Sequence, residues 1–268
     1  LASALSRPSG DFPDLEGVSV GRTTVGFIEE REDGESDGGE SLLPHELKSE
    51  VREVLSAFSP FRKVALKGVE ELVVNFILTF KREYSILRLL LPVRSYSEYT
   101  YTHAANVSIL TIFQAQALGI GGKLLHEVGI AALLHDVGKL FIPREILEKK
   151  GRLTEEEFEV ITGHTVQGAK YLSAIENLTP MASIVAYEHH MRFDGKGYPH
   201  GRKKRKKQNI VSQMVQIADF FDALRSRRPY KRSWGVEEIL ALMREGRGSE
   251  FNPLLVDVFS RELLRTIR

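Results

Sequence analysis

Ala131-Ala132-Leu133-Leu134-His135-Asp136-Val137-Gly138-Lys139-Leu140 places two adjacent metal-capable side chains at the end of an apolar segment. A glycine then lets the backbone turn, and Lys139 follows three residues after Asp136. Burying an unpaired carboxylate is strongly unfavourable. A divalent cation shared by the imidazole and the carboxylate removes that cost, since both are ordinary metal ligands. A lone His-Asp pair is more often a surface or hydrogen-bonded pair, so its meaning depends on what the rest of the chain brings to it.

Working outward, apolar steps of three and four residues take over from Pro44. Leu47, Val51, Val54, Leu55 and Phe58 mark one helix, and Leu72, Phe76 and Phe80 another. From Ser97 a long helix runs through His103, Val107, Leu110 and Ile112 to Ala117, with Gly119, Gly121 and Gly122 ending it. The next, about Leu124 to Leu134, delivers His135-Asp136. Thr154-Glu155-Glu156-Glu157 is a capping box that opens a helix carrying Phe158, Ile161 and His164. Pro180 starts a helix reaching His189-His190. Ile210 to Leu224 forms one more, with Ile210, Met214, Ile217 and Phe221 on one face. Two final helices cover roughly Val236 to Glu245 and Pro253 to Ile267. Strand patterns are nearly absent after residue 44 and no repeat is evident, so the prediction is an all-α domain of at least six helices.

Residues 1–44 read differently. Pro8, Gly10, Pro13 and the acidic run from Glu29 to Glu40 have loop chemistry. They predict an irregular or partly disordered extension with a short hairpin over Val18–Val20 and Thr23–Ile28. Residues 45–94 read as a helical region or linker, and 95–268 as the main domain.

At 268 residues and 42% hydrophobic, the chain can bury a sizeable core. With 37 basic and 36 acidic side chains, net charge points to no particular partner. The absence of cysteine excludes a disulfide scaffold, a thiolate zinc site and a cysteine nucleophile, and fits a reducing cytoplasm. Arg88 interrupts Ile86 to Val93 and Asn75 interrupts Leu72 to Leu78, so neither stretch predicts a membrane span. Leu1-Ala2-Ser3 lacks the basic-then-apolar order of a signal peptide, and the first residue is not methionine.

Five of the eight histidines, His103, His135, His164, His189 and His190, fall within or at the ends of predicted helices, as do Asp136 and Asp219. One histidine on an apolar helix face is ordinarily a hydrogen-bonded core residue. Five buried together each need a partner, and two metal ions could satisfy all of them. Imidazole mixed with carboxylate, and no thiolate, favours iron, manganese, zinc, nickel or cobalt over calcium.

His135-Asp136 with Gly138-Lys139, and His189-His190 followed by Asp194-Gly195-Lys196-Gly197-Tyr198-Pro199, resemble the HD-GYP family of HD-domain phosphohydrolases. The resemblance extends to Thr100-Tyr101-Thr102-His103, Phe141-Ile142-Pro143, Ile146 to Lys149, and His164 with Gly168. It closes on Ile217-Ala218-Asp219-Phe220-Phe221-Asp222-Ala223-Leu224 and Arg228-Pro229-Tyr230-Lys231. It covers about residues 97 to 255 and implies an HD-domain helical bundle. It also implies metal ligands at His103, His135, Asp136, His164, His189, His190 and Asp219, with Asp136 bridging two divalent transition-metal ions, iron or manganese first. Asp136 and Lys139 would then be catalytic. Lys139, Arg228, Lys231 and Tyr198 would meet the substrate, and the Gly-Tyr-Pro loop could also contact a protein partner.

The implied activity is hydrolysis of a cyclic dinucleotide, cyclic di-GMP first, to linear pGpG, with further cleavage to GMP as an open second step, by a metal-activated hydroxide in the cytoplasm. The alternatives are another nucleotide such as cyclic GMP-AMP, or a catalytically weak sensor; a homodimer is left open. Four features depart from the family pattern. Met191 stands where a glutamate is common, Arg227 replaces an aspartate, and Tyr99 replaces a glutamate that serves a third metal in some members. Last, the run Arg202-Lys203-Lys204-Arg205-Lys206-Lys207 is unusually basic. By default that run is a solvated loop; the other readings are steering of an anionic substrate, or binding of RNA or an acidic protein. Asp194 is either an acceptor that orients a ligand histidine or a turn aspartate.

Overall fold

The computed structural model of the chain describes residues 18–19, 22–23, 45–59, 66–80, 85–91, 96–149, 151–199, 208–226 and 234–267. β1 (Val18–Ser19) and β2 (Arg22–Thr23) pair antiparallel, with Val18 opposite Thr23. This pairing is shorter than the expected hairpin and its second strand begins earlier; residues 20 and 24–28 lie outside the described set.

Helices follow in chain order. They begin with α1 (His45–Ser56), α2 (Leu66–Phe80), α3 (Ile86–Leu89), α4 (Tyr96–Ala117) and α5 (Gly122–Leu133). A 3-10 turn, Val137–Phe141, precedes α6 (Arg144–Leu147), α7 (Glu155–Thr162), α8 (His164–Ser173) and α9 (Pro180–Glu188). The last three are α10 (Ile210–Arg225), α11 (Val236–Glu245) and α12 (Pro253–Ile267). The described residues thus form an all-α bundle, in line with the expected minimum of six helices. Among the described residues no helix is long and apolar enough to cross a membrane.

Two helices form the axis. Along α4, Ala105, Val107, Leu110, Ile112 and Ala115 are buried, but so are His103, Asn106, Ser108, Thr111 and Gln114. A helix buried on every side needs neighbours all round, and α4 packs against α1, α2, α3, α5, α10 and α12. α10 is buried without a break from Val211 to Asp219. Ile210, expected on its buried face, is 46% exposed, because it is the first helical residue and follows directly on the Asn209 cap. The core runs as one cluster from Leu47 to Leu263.

Local chemistry sets the helix ends that matter for the site. The capping box forms as expected: Thr154 Oγ1 accepts from Glu157 N–H (3.2 Å), and Glu157 Oε2 accepts from Thr154 N–H (2.7 Å). The sequence suggested one helix from there through His164. Instead the chain breaks at Gly163, and His164 starts α8 with its ring Nδ1 on the Ile161 carbonyl (2.7 Å). That contact occupies a carbonyl at the end of α7 and turns the ring inward. Gly122, expected to stop α4, is instead the first residue of α5.

The glycine of the His-Asp segment has a different role from the turn suggested by sequence. Its φ is not positive, but a Cβ on Gly138 would lie 1.9 Å from the His164 carbonyl oxygen and 2.6 Å from Gly168 N. Gly168 reciprocates: its Cβ would meet Gly138 N at 3.0 Å. Two glycines therefore let the 3-10 turn lie directly on the backbone of α8, which brings Asp136 up against His164.

Candidate metal centre

Five parts of the fold converge. α4 brings His103, the turn after α5 brings His135 and Asp136, the start of α8 brings His164, the end of α9 brings His189 and His190, and α10 brings Asp219. All seven residues predicted as ligands meet in one place. They fall into two sets: Asp136, His164, His189 and His190, and then His103, His135 and Asp219, with the ligand atoms of each set within 4.8 Å of one another.

The outer nitrogens decide which way the rings face. His135 Nδ1 lies 2.7 Å from the Ala132 carbonyl, and His189 Nδ1 lies 3.1 and 3.0 Å from those of Val185 and Ala186. A carbonyl can only accept, so each of these nitrogens, like His164 Nδ1, carries the proton and leaves a lone pair on Nε2 in the neutral ring. The Nε2 atoms of His164 and His189 face each other at 3.3 Å. In that tautomer two lone pairs meet with no proton between them, an arrangement that a cation relieves.

Asp136 lies between the sets. Its Oδ1 is 3.3 Å from His164 Nε2 and 3.7 Å from His189 Nε2. Its Oδ2 is 3.4 Å from His135 Nε2 and 3.9 Å from His103 Nε2, with Lys139 Nζ at 2.5 Å. Among the described residues, His135 Nε2 and Asp136 Oδ1 are buried without a hydrogen-bond partner. Buried polar atoms are nearly always paired, so these orphaned donor atoms fit a site for divalent metal. His103 Nε2 lies 3.1 Å from Asp219 Oδ1.

Electrostatics keep the donors in their ligating forms. Burial lowers His189 to about 4, and the neighbouring imidazoles add to this against the pull of Asp136. Burial also holds His190 well below the usual imidazole range. For Asp136 burial acts upward, yet the surrounding charge, that of Lys139 first, outweighs it and holds the carboxyl well below normal. Asp219 is held low in the same way, mainly by His103.

A pH dependence follows. Because His189 and His190 bind protons less readily folded than unfolded, they contribute stability above pH 6.5 that is lost as pH falls toward 4. His189 alone accounts for on the order of 3 kcal/mol. The urea midpoint of the metal-free protein should therefore drop between pH 6.5 and 4; a flat or rising midpoint would contradict the burial of neutral rings.

Other predicted residues have mixed placements. Tyr198 is buried, its ring 4.7 Å from that of His190 and 6.0 Å from Phe158, so it walls the site on the His190 side. Asp194 accepts from Lys196 N–H (3.0 Å) and pairs with Arg192 (3.3 Å), which makes it the turn aspartate of the two readings. Gly197 is required there: its φ is +85°, and a Cβ would lie 2.3 Å from the His190 carbonyl. Arg228, Lys231, Arg227 and the run from Arg202 to Lys207 lie outside the described residues, as does the side chain of Tyr99.

Sequence reasoning passed over Asp222 and Asn106. Asp222 Oδ2 accepts from His103 Nδ1 (2.9 Å), and its Oδ1 accepts from Asn106 Nδ2 (2.9 Å). The signal was spacing: Asn106 is one turn beyond His103 on α4, and Asp222 one turn beyond Asp219 on α10, so each shares its ligand's face.

Fold and centre together define a helical domain with His/Asp clusters able to take divalent metal. The HD domain family model matches residues 93–255, more than half of the sequence. The chain belongs to the HD-domain family. It is 36% identical over 170 residues to a cyclic di-GMP phosphodiesterase of Pseudomonas aeruginosa, covering 63% of this chain and 41% of that protein. It is 34% identical over 148 residues to a 3'3'-cGAMP-specific phosphodiesterase of Vibrio cholerae, covering 55% of this chain and 34% of that one. The chain thus spans less than half the length of these relatives. Among solved structures, an HDG"Y"P protein from Bdellovibrio bacteriovorus shares the fold, with TM-score 0.63, 16% identity, and coverage of 82% and 69% of the two chains.

Proposed function

We propose that this chain is a metal-dependent phosphodiesterase that hydrolyses a cyclic dinucleotide, cyclic di-GMP first, to linear pGpG, with GMP as the product of an optional second cleavage. The observation that carries the reading is the placement of Asp136, with one carboxylate oxygen toward each histidine set. The relatives' names supply the substrate class, and their division between cyclic di-GMP and cyclic GMP-AMP keeps the latter as second reading.

His164, His189 and His190 would hold one ion, His103, His135 and Asp219 the other, and Asp136 both; iron or manganese suits this imidazole–carboxylate set. Such a pair supplies Lewis-acid activation of water and of a phosphoryl oxygen. The chain's own groups do the rest. Lys139, held at Asp136, places an ammonium beside the centre where a phosphate would dock. Buried Tyr198 excludes water from the His190 side. Arg228 and Lys231 are proposed phosphate contacts, Arg228 bidentate. A cytoplasmic setting, docking of a protein through the Gly-Tyr-Pro turn and a homodimer belong to the same proposal.

The test is turnover against a panel of cyclic dinucleotides after reconstitution with iron or manganese, alongside metal analysis. About two ions per chain, chelator-sensitive hydrolysis and a preference for cyclic di-GMP are expected. A preference for cyclic GMP-AMP would favour the second reading. Binding without product in every metal state would defeat the hydrolase reading and leave a sensor.

A further inference from the structure

Four of the clustered histidines have a resolved outer-nitrogen partner, and one of these differs in kind. His135, His164 and His189 each set their Nδ1 against a carbonyl of their own backbone, three or four residues back. A backbone carbonyl persists whatever the side chains are. His103 Nδ1 instead meets the Asp222 carboxylate from another helix, 119 positions away in sequence, at 2.9 Å. Its orientation therefore depends on a side chain.

That side chain is completely buried, and its acceptor capacity is fully used. Oδ2 takes His103 Nδ1 (2.9 Å) and Ser226 Oγ (3.2 Å), and Oδ1 takes Asn106 Nδ2 (2.9 Å) and an Arg225 guanidinium N–H (3.3 Å). Asn106 is itself fixed, since its Oδ1 accepts from Leu91 N–H (2.7 Å) and its Nδ2 also donates to the Leu91 carbonyl (3.0 Å). Four donors converge on two oxygens, so the carboxylate has one orientation that satisfies all of them.

We propose that Asp222 is a positioning residue: it holds His103 as the Nδ1–H tautomer with Nε2 aimed at Asp219, and so sets metal affinity at the His103–His135–Asp219 set alone. This rests on the two-set metal reading above. Asparagine at 222 would be nearly isosteric but could offer an acceptor to only one side. If its oxygen stays with Asn106 and Arg225, its amide N–H groups face His103 Nδ1, which must then accept. The ring proton moves to Nε2, and the lone pair needed by a metal is gone. Removing a partner that orients a ligand histidine typically lowers metal affinity by about 10–100-fold.

Two measurements test this. Nitrogen-15 NMR of histidine-labelled, metal-free wild-type protein should find a proton on His103 Nδ1, whether or not Nε2 also carries one toward Asp219; a neutral ring with its proton on Nε2 alone overturns the proposal without any variant. Metal titration of wild type and Asp222→Asn, with folding checked by circular dichroism, should find one of two ions weakened by about 10–100-fold in the variant and the other unchanged. Affinities unchanged from wild type for both ions, or equal loss of both, overturns it. Uptake of fewer than two ions by the wild type would instead sink the two-set reading, and the tautomer measurement would still decide the role of Asp222. A purely structural role for Asp222 would alter melting without singling out one ion or moving the ring proton.

Discussion

Asp136→Asn should lower turnover of the metal-loaded protein by about a thousandfold or more, equivalent to about 4 kcal/mol of transition-state stabilisation. The size follows from geometry. Each of the other predicted ligands belongs to one set, whereas Asp136 faces both, with Oδ1 toward His164 and His189 and Oδ2 toward His135 and His103. An amide loses the charge and one of the two acceptor oxygens, so at most one set keeps a carbonyl oxygen from this position. It also removes the anion paired with Lys139, whose ammonium would then stand beside imidazoles rather than a carboxylate. The check combines hydrolysis at saturating metal with metal content on the same sample, and circular dichroism confirms the fold. Activity within tenfold of wild type with full metal content would show that Asp136 does not join the two sets.

Gly138→Ala should cost on the order of 4 kcal/mol of stability, a loss reserved for severe local conflicts. The added methyl would lie 1.9 Å from the His164 carbonyl oxygen and 2.6 Å from Gly168 N, and both obstacles are backbone atoms that cannot rotate away. Relief requires the 3-10 turn and α8 to separate, which also draws Asp136 from His164. The melting temperature should fall by about 8–16 °C for a domain of this size, and metal uptake should weaken with it. Gly121→Ala is the control. A Cβ there meets nothing within 4 Å and φ is −148°, so its cost should be about 1 kcal/mol or less, from the lost glycine cap. Similar melting of the two variants would show that the turn and α8 are not in close backbone contact.

The helices were legible because burial writes a period into the chain. Leu47 and Val51 in α1, Leu72 and Phe76 in α2, and Met214, Ile217 and Phe221 in α10 are all buried where three- and four-residue steps placed them. Short-range hydrogen-bond patterns were legible for the same reason, as in the Thr154–Glu157 capping box. Even the list of clustered residues could be assembled, since histidines at apolar helix ends lack a cheaper partner.

Failures of the sequence reading share a cause. Gly138 looked like a turn glycine because its neighbours in sequence suggest nothing else; its constraint comes from the backbone of α8, some thirty positions away. His164 looked like part of the preceding helix because no periodicity shows that its ring will take the Ile161 carbonyl. Asp222 was passed over because its partner His103 lies 119 positions back.

Sequence by itself determined the helical class, the family resemblance and the seven candidate side chains that the fold brings together, since periodicity and residue chemistry are local properties. Tertiary structure decided how those side chains divide. It turned the two oxygens of Asp136 toward different histidine sets, set Gly138 on α8 and placed a carboxylate behind His103. Those are contacts between segments distant in the chain, and their distances are fixed only when α4, α8, α9 and α10 pack together.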